Sequence, residues 1–262
     1  MTHTKIVLLA INAIHNPLML ETDNIFKRKR TIEPFSFNQE VADVFDDMVE
    51  RSVPFYKEIH RIILDILGKS FMPGDKIYDL GCSTGTTIKI LHDFIKERFP
   101  EKYFEIVGVD NSQAMLKKCQ DKLLKNKVSN FSLSCADLEK IELAPSRLTI
   151  MNYTLQFINP IKRPELLNKI YNNLRPGGVF ILSEKIKAED NSIDDLLTDL
   201  YYDFKRRNGY SELEIAQKRE ALENVLLPIT PNNQIELLKM AGFSRVEVLF
   251  RWYNFACYLG VK

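Results

Sequence analysis

A glycine turn between a strand and a helix is the first feature of this chain that could do chemistry. Residues 76 to 80, Lys-Ile-Tyr-Asp-Leu, are typical of a short buried strand, and a helical pattern begins at Thr86. Between them, Gly81-Cys-Ser-Thr-Gly85 must turn sharply. Glycines let the backbone approach a ligand closely, and free N–H groups at a helix start attract negative or polar groups. The stretch therefore predicts a site for a nucleotide-type ligand.

Two familiar interpretations of this turn lack a residue that they need. Gly-x-Ser-x-Gly between a strand and a helix is the nucleophile motif of serine hydrolases, which require a histidine base after the serine. The last histidine of the chain is His92, which follows Ser83 closely and lies in the very next helix. No histidine therefore stands far enough after the serine to act as its base. A dinucleotide site requires Gly-x-Gly-x-x-Gly, but Ser83 stands where the central glycine belongs.

S-adenosylmethionine fits the turn better, because it carries no phosphate and does not need the full glycine set. The glycine turn can accommodate its methionyl part. Asp110 can accept hydrogens from both ribose hydroxyls, and Asp137 can accept one from the adenine amine. Ligands of parallel sheets bind outside the carboxyl ends of the strands, where Gly81, Asp110, Asp137 and Asn152 all fall. One acid at a strand end is usually a turn residue or a helix cap, but three such features at successive strand ends indicate one site.

Strands and helices alternate from residue 76 onward. After strand 76–80 and helix 86–98, the patterns predict strands at 103–109, 130–134, 147–151 and 179–183, with helices 112–124 and 163–174. Helices at about 38–51 and from Pro54 to Gly68 precede them. The last two strands, 244–250 and 254–261, follow helix 232–240 and can only pair antiparallel. The fold class is therefore α/β, with a Rossmann-like, mostly parallel seven-stranded sheet and a C-terminal antiparallel hairpin.

A helical insertion interrupts this alternation after the fifth strand, at about 190–225. Asn208-Gly209 predicts the end of its first helix, and Ser211 with Glu214 has the spacing of a capping box at the start of its second. The insertion carries Lys205-Arg-Arg207 and Lys218-Arg219. An isolated arginine on a helix is usually solvated, but a guanidinium can also bind a carboxylate through two parallel hydrogen bonds.

Composition narrows the classes of protein. The 262 residues are 45% hydrophobic and 27% charged, with a net charge of +1 that provides no overall attraction to nucleic acid or membrane. Four cysteines without paired spacing indicate free thiols in the cytoplasm, and no cysteine or histidine cluster predicts a metal site. Residues 1–33, with a basic run at 27–30, are expected to form a poorly ordered extension, and residues 34–262 a single domain.

Longer stretches resemble one enzyme family. Six stretches resemble the carboxy-S-adenosyl-L-methionine synthases of the class I S-adenosylmethionine-dependent methyltransferase superfamily: residues 37–45, 47–54, 78–83, 152–157, 182–185 and 203–219. The last of these is the most specific. The resemblance runs from about residue 34 to the end of the chain. It implies an enzyme that makes carboxy-S-adenosyl-L-methionine and phenylpyruvate from S-adenosyl-L-methionine and prephenate. A separate tRNA carboxymethyltransferase would then use the product to modify wobble uridine.

The same resemblance implies roles for individual residues. The adenosylmethionine part would be held by Tyr56, Gly81, Cys82, Ser83, Asp110, Asn111, Asp137, Leu138 and Asn152, and the added carboxylate by Arg219. The helical insertion is the expected lid, and the two carboxylates of prephenate suit a locally basic mouth, without particular residues being indicated. A cytoplasmic homodimer with no direct nucleic-acid or membrane binding is implied. A conventional methyltransferase with a small or RNA acceptor stays open as an alternative, as does a non-catalytic partner of a tRNA-modifying enzyme.

Overall fold

The computed structural model of this protein describes residues 22–262. Its strands are β1 (Lys76–Leu80), β2 (Glu105–Asp110), β3 (Phe131–Cys135), β4 (Ser146–Asn152), β5 (Leu174–Lys185), β6 (Arg245–Trp252) and β7 (Phe255–Val261). They form one sheet in the order β3-β2-β1-β4-β5-β7-β6. The first five strands are parallel, and β7 pairs antiparallel with both β5 and β6. The predicted seven-stranded sheet with a C-terminal antiparallel hairpin is therefore confirmed.

Eight α-helices accompany this sheet in the described part of the chain. They are α1 (Gln39–Ser52), α2 (Tyr56–Ser70), α3 (Thr86–Arg98), α4 (Gln113–Lys125), α5 (Arg163–Asn173), α6 (Asn191–Arg207), α7 (Glu212–Leu222) and α8 (Pro231–Met240), with a 3₁₀ turn at Leu155–Phe157. The second helix begins at Tyr56 rather than at Pro54, because Phe55 adopts a left-handed φ of 54° in front of it. None of the helices within residues 22–262 combines the length and apolar character that a membrane span requires.

Alternate side chains of the strands supply two hydrophobic cores, one on each face of the sheet. Ile77 and Ile150 pack toward α2, α3 and α4, whereas Tyr78 and Met151 pack toward α5 and α8. A parallel sheet covered by helices on both faces needs apolar residues on both sides of each strand. This requirement explains the nearly continuous hydrophobic runs in the central strands.

Residues 22–33, part of the predicted extension, make defined contacts with the rest of the protein. Asp23 is 2% exposed and Phe26 is 8% exposed. The Gln217 amide on α7 donates to the carbonyl oxygens of Phe26 at 2.8 Å and Arg28 at 3.0 Å, and its oxygen accepts from the Arg30 backbone N–H at 2.9 Å. The basic run suggested a solvated tail, but these backbone bonds anchor the segment to the insertion. The rest of the predicted extension, residues 1–21, lies outside the described residues.

The insertion has the predicted capping box. The Ser211 hydroxyl accepts the backbone N–H of Glu214 at 3.3 Å, and a Glu214 carboxylate oxygen accepts the Ser211 backbone N–H at 2.8 Å. Both bonds satisfy N–H groups that have no partner inside the helix. The capping box therefore fixes where α7 starts and how its later residues are presented.

Replacing this cap should destabilise the protein. We expect Ser211→Ala to lower the free energy of unfolding by about 1 kcal/mol, because the Glu214 N–H loses its acceptor. Urea denaturation measures the change. The matched control is Ser244→Ala, just before the edge strand β6, where an exposed hydroxyl is removed and a change below about 0.5 kcal/mol is expected. Equal midpoints for the two variants would show that the cap is energetically unimportant.

Candidate functional site

One cavity of about 800 Å³ opens at the carboxyl ends of the parallel strands. Its wall contains, in their order across the sheet, Asp137 after β3, Asp110 at the end of β2, Gly81 after β1, Asn152 at the end of β4 and Lys185 at the end of β5. Residues that are far apart in the sequence thus form a row across one edge of the sheet. Such a row can bind an extended ligand along its length.

All ten residues predicted from the sequence line this cavity: Tyr56, Gly81, Cys82, Ser83, Asp110, Asn111, Asp137, Leu138, Asn152 and Arg219. Their environments differ, since Cys82 and Leu138 are buried whereas Asn111, Asp137 and Arg219 are exposed. The structure brings the set together, and the binding roles of its members stay predictions.

The glycine turn has the backbone shape that the sequence predicted. Gly81, Ser83 and Gly85 have left-handed φ angles of 81°, 50° and 79°. A Cβ atom on Gly81 would lie 2.2 Å from Oγ1 of Thr154, so no larger side chain fits there without a shift. The turn is therefore held close to the loop after β4, and both surfaces face the cavity.

A polar network braces this turn from two helices. The Thr84 hydroxyl donates to Asp46 Oδ1 on α1 at 2.6 Å. The Lys122 ammonium on α4 donates to the same Asp46 oxygen at 2.8 Å and to the hydroxyls of Thr84 and Thr86 at 3.0 and 2.9 Å. Sequence reasoning missed Asp46 and Lys122, because nothing in their local pattern shows that they converge on a distant turn.

Asp110 is held by backbone groups while it faces the cavity. Its Oδ2 accepts the N–H of Ser83 at 2.9 Å, and its Oδ1 accepts the N–H of Ser112 at 2.9 Å. Burial raises the pKa of this carboxyl above its ordinary value, although the backbone hydrogen bonds act in the opposite direction. Each carboxylate oxygen can accept more than one hydrogen bond, so both remain able to accept a hydroxyl of a ligand.

The loop after β4 presents an amide and a strained backbone. Both polar side-chain atoms of Asn152 are buried and lack a hydrogen-bond partner within residues 22–262. Since buried amide groups are normally paired, this side chain is suited to a ligand. Tyr153 beside it has a left-handed φ of 58°, an uncommon conformation that tends to cluster at functional sites. The sequence indicated Asn152 but carried no signal for the strain at Tyr153.

A buried carboxylate fixes the position of this loop. The two oxygens of Glu184 on β5 accept the backbone N–H groups of Leu155 and Gln156 at 2.9 and 2.8 Å. Burial raises the pKa of Glu184 to about 8, and the nearby Arg163 guanidinium opposes that shift. Glu184 thus organises the backbone behind Asn152 rather than facing the ligand.

Helices α6 and α7 close the other side of the cavity with cations. Lys205 and Lys218 are 4% and 5% exposed, and Lys185 at the end of β5 is half-buried. All three line the cavity, as does the neighbouring Arg219, whose side chain is exposed at its mouth. The sequence showed that the insertion is basic, but it could not show which of its cations turn inward.

Comparisons with known proteins agree with this geometry. Residues 77–178 match a family model described as a methyltransferase domain. The chain is similar to the YcgJ protein from Bacillus subtilis, with a TM-score of 0.57 and 12% identity over 75% of this chain and 72% of that one. At such low identity, the structural likeness describes the fold alone.

Sequence relatives are more specific. The chain is 45% identical to the carboxy-S-adenosyl-L-methionine synthase of Nautilia profundicola, over 92% of this chain and 99% of that protein. It is 46% identical to the synthase of the same name from Nitratiruptor sp., over 93% of this chain and 99% of that protein. This chain therefore belongs to the carboxy-S-adenosyl-L-methionine synthase family and has a methyltransferase fold.

Proposed function

We propose that this protein converts S-adenosyl-L-methionine and prephenate into carboxy-S-adenosyl-L-methionine, phenylpyruvate and water. The observation that carries the proposal is that Arg219, a cation suited to a carboxylate, lines the same cavity as the strand-end residues that suit S-adenosylmethionine. A chain related over nearly its full length to synthases of carboxy-S-adenosyl-L-methionine requires both features in one place. Their coexistence supports carboxylation of the sulfonium methyl group over its transfer.

The order of the strands suggests how S-adenosylmethionine would lie. Asp137 after β3 would accept from the adenine amine, and Asp110 at the end of β2 would accept from the ribose hydroxyls. The glycine turn after β1 would hold the methionyl part, where the missing Cβ of Gly81 lets the backbone come close. The sulfonium would then point toward β4 and β5, and toward Arg219.

The reaction can proceed without a protein base. The positive sulfur acidifies its methyl group, and loss of one methyl proton leaves a sulfonium ylide. Prephenate loses carbon dioxide and its ring hydroxyl as hydroxide, because both losses make the ring aromatic. Hydroxide takes the methyl proton to form water, and the ylide carbon bonds to carbon dioxide. No histidine is among the described residues that line the cavity, in keeping with this route.

Water must be kept from the ylide, which it would reprotonate. Apolar rings form much of the cavity wall, including Phe37 and Phe157, whose centroids are 5.1 Å apart. Tyr201 from α6 is 8% exposed and donates its hydroxyl to the carbonyl oxygen of Ser52 at 3.0 Å, which ties the insertion to α1. These contacts support the insertion as the lid of the site.

The proposal also covers the fate of the product and the assembly and location of the protein. The product would pass to a separate tRNA carboxymethyltransferase that modifies wobble uridine, and this protein would not itself bind nucleic acid, in keeping with a net charge of +1. We also propose a homodimer in the cytoplasm. Ile193 and Leu196, three residues apart on α6, are 51% and 57% exposed and offer apolar surface that a second copy could cover.

A mass-spectrometric assay tests the proposed reaction. The protein is incubated with S-adenosyl-L-methionine and prephenate, and we expect a product heavier than the cofactor by one carbon dioxide, with equal formation of phenylpyruvate. Boiled protein and omission of prephenate are the controls. An untouched prephenate pool together with unchanged cofactor would contradict the proposal, and a methylated acceptor in a cell extract would favour a conventional methyltransferase.

Removing the carboxylate-binding cation should change ligand preference. We expect Arg219→Ala to weaken retention of carboxy-S-adenosyl-L-methionine by about tenfold to about a hundredfold, because a charge-assisted hydrogen bond contributes about 1.5–3 kcal/mol. Retention of S-adenosyl-L-methionine should change far less, and equilibrium dialysis of both ligands measures the difference. The control is Arg207→Ala, which removes an exposed arginine of α6 that does not line the cavity. An equal loss for both ligands would count against this role of Arg219.

A further inference from the structure

We infer that Lys185, Lys205 and Lys218 form a subsite that binds the carboxylates of a dianionic second substrate. The three lysines lie on β5, α6 and α7, and all line the cavity. The inference rests on the proposed function only for the identity of that substrate, prephenate. The three lysines would recognise the dicarboxylate, whereas the residues described above would bind S-adenosyl-L-methionine.

The three ammonium groups are neighbours that share two aromatic rings. The Nζ atoms of Lys185 and Lys205 lie 4.8 and 5.6 Å from the ring centroid of Tyr201. The Nζ atoms of Lys205 and Lys218 lie 5.4 and 5.3 Å from that of Tyr210. Lys205 thus sits between the other two, and the rings keep the three side chains apart but close.

The cluster has more positive charge than its protein partners neutralise. Lys218 lies 3.6 Å from Asp23 Oδ2 and donates to the Ser52 hydroxyl at 3.1 Å. Within residues 22–262, no carboxylate lies at ion-pair distance from Lys185 or Lys205. Burying an ammonium group without a counter-charge is costly. A dianion in the cavity would supply the missing charge.

Repulsion among the three ammonium groups also favours the binding of an anion. Burial lowers the pKa of Lys205, and the ammonium groups of Lys218 and Lys185 lower it further, against a smaller opposing effect of the Asp23 and Glu214 carboxylates. An anion that binds among these like charges offsets their electrostatic repulsion. Perturbed cations of this kind, placed in a cleft, are a feature of functional sites rather than of solvated surfaces.

The strand order places the cluster beyond the predicted cofactor. Asp137, Asp110 and Gly81 lie at or just after the ends of β3, β2 and β1, so the adenine, ribose and methionyl parts would occupy that half of the sheet edge. Lys185 lies at the end of β5, two strands beyond β1, a distance of roughly 10 Å. A second substrate over β4 and β5 would therefore meet the lysines and lie beside the sulfonium.

Calorimetry with prephenate tests the subsite directly. Prephenate is titrated into protein saturated with S-adenosyl-L-homocysteine, which keeps the cofactor part of the cavity filled. We expect Lys205→Met to weaken prephenate binding by about tenfold or more, because a charge-assisted contact is lost. Affinity for S-adenosyl-L-homocysteine should stay within about twofold of the wild type.

Matched variants keep the test decisive. Lys187→Met removes an exposed lysine two residues after Lys185 and should bind both ligands like the wild type. Thermal unfolding checks that Lys205→Met folds, and Lys185→Met, at a half-buried position on another element, repeats the test independently. Unchanged prephenate affinity in both lysine variants would overturn the subsite. Weaker S-adenosyl-L-homocysteine binding to the same extent would assign the lysines to the methionyl carboxylate instead.

Binding and product formation separate the two proposals. Lysine-dependent binding of prephenate without carboxylated product would leave the subsite standing and reject the proposed reaction. Product formation by Lys205→Met with a wild-type Michaelis constant for prephenate would reject the subsite and leave the reaction standing. Failure of the wild type to bind prephenate would overturn the subsite as stated.

Prephenate binding should also weaken as the pH rises through about 8. Burial lowers the pKa of Lys185 and of Lys218 to about 8, so their ammonium groups are charged below that pH and lost above it. The groups that face them are Asp194 at Lys185, then Asp23, Asp47 and Arg51 at Lys218, with Lys205 and the Tyr201 and Tyr210 rings between them. The carboxylates of prephenate stay ionised throughout this range. A prephenate affinity that is constant between about pH 7 and about pH 9 would contradict the subsite.

Discussion

Parallel pairing of five strands is the constraint on which the rest of this structure depends. It places the carboxyl ends of β3, β2, β1, β4 and β5 along one edge, so that acids, a glycine turn, an amide and a lysine succeed each other there. No local feature could produce that row, since its members are separated by whole helices in the sequence. The hydrophobic cores on both faces of the sheet stabilise this alignment.

A second set of contacts links the insertion to the beginning of the described chain. Asp23 accepts the Tyr210 hydroxyl at 2.6 Å and lies 3.6 Å from the Lys218 ammonium, while Arg51 donates to the carbonyl oxygen of Asp23 at 3.3 Å. One buried carboxylate therefore partly balances the cations of the cavity and holds α7 near α1. Positive charge that is costly to bury becomes useful where it can meet an anionic ligand.

Much of the fold could be predicted because its signals are local. The strand Lys76–Leu80, the helix Thr86–Arg98 and the capping box at Ser211 and Glu214 follow from hydrophobic periodicity and capping chemistry. The row of site residues was also within reach, since strand ends of a parallel sheet must share an edge. The inward direction of Lys205 and Lys218, the strain at Tyr153 and the anchoring of residues 22–33 depend on tertiary packing. The basic run at 27–30 carried no signal for those contacts.

A double-label experiment tests the central claim, carboxylation of the sulfonium methyl carbon, most directly. S-adenosyl-L-methionine with a fully deuterated methyl group is incubated with the protein and with prephenate carrying carbon-13 in its ring carboxylate. Carboxylation of the methyl carbon predicts a product that gains the carbon-13 and keeps two of the three methyl deuterium atoms, with phenylpyruvate free of label. A product without carbon-13, or transfer of the intact deuterated methyl group to another molecule, would contradict it.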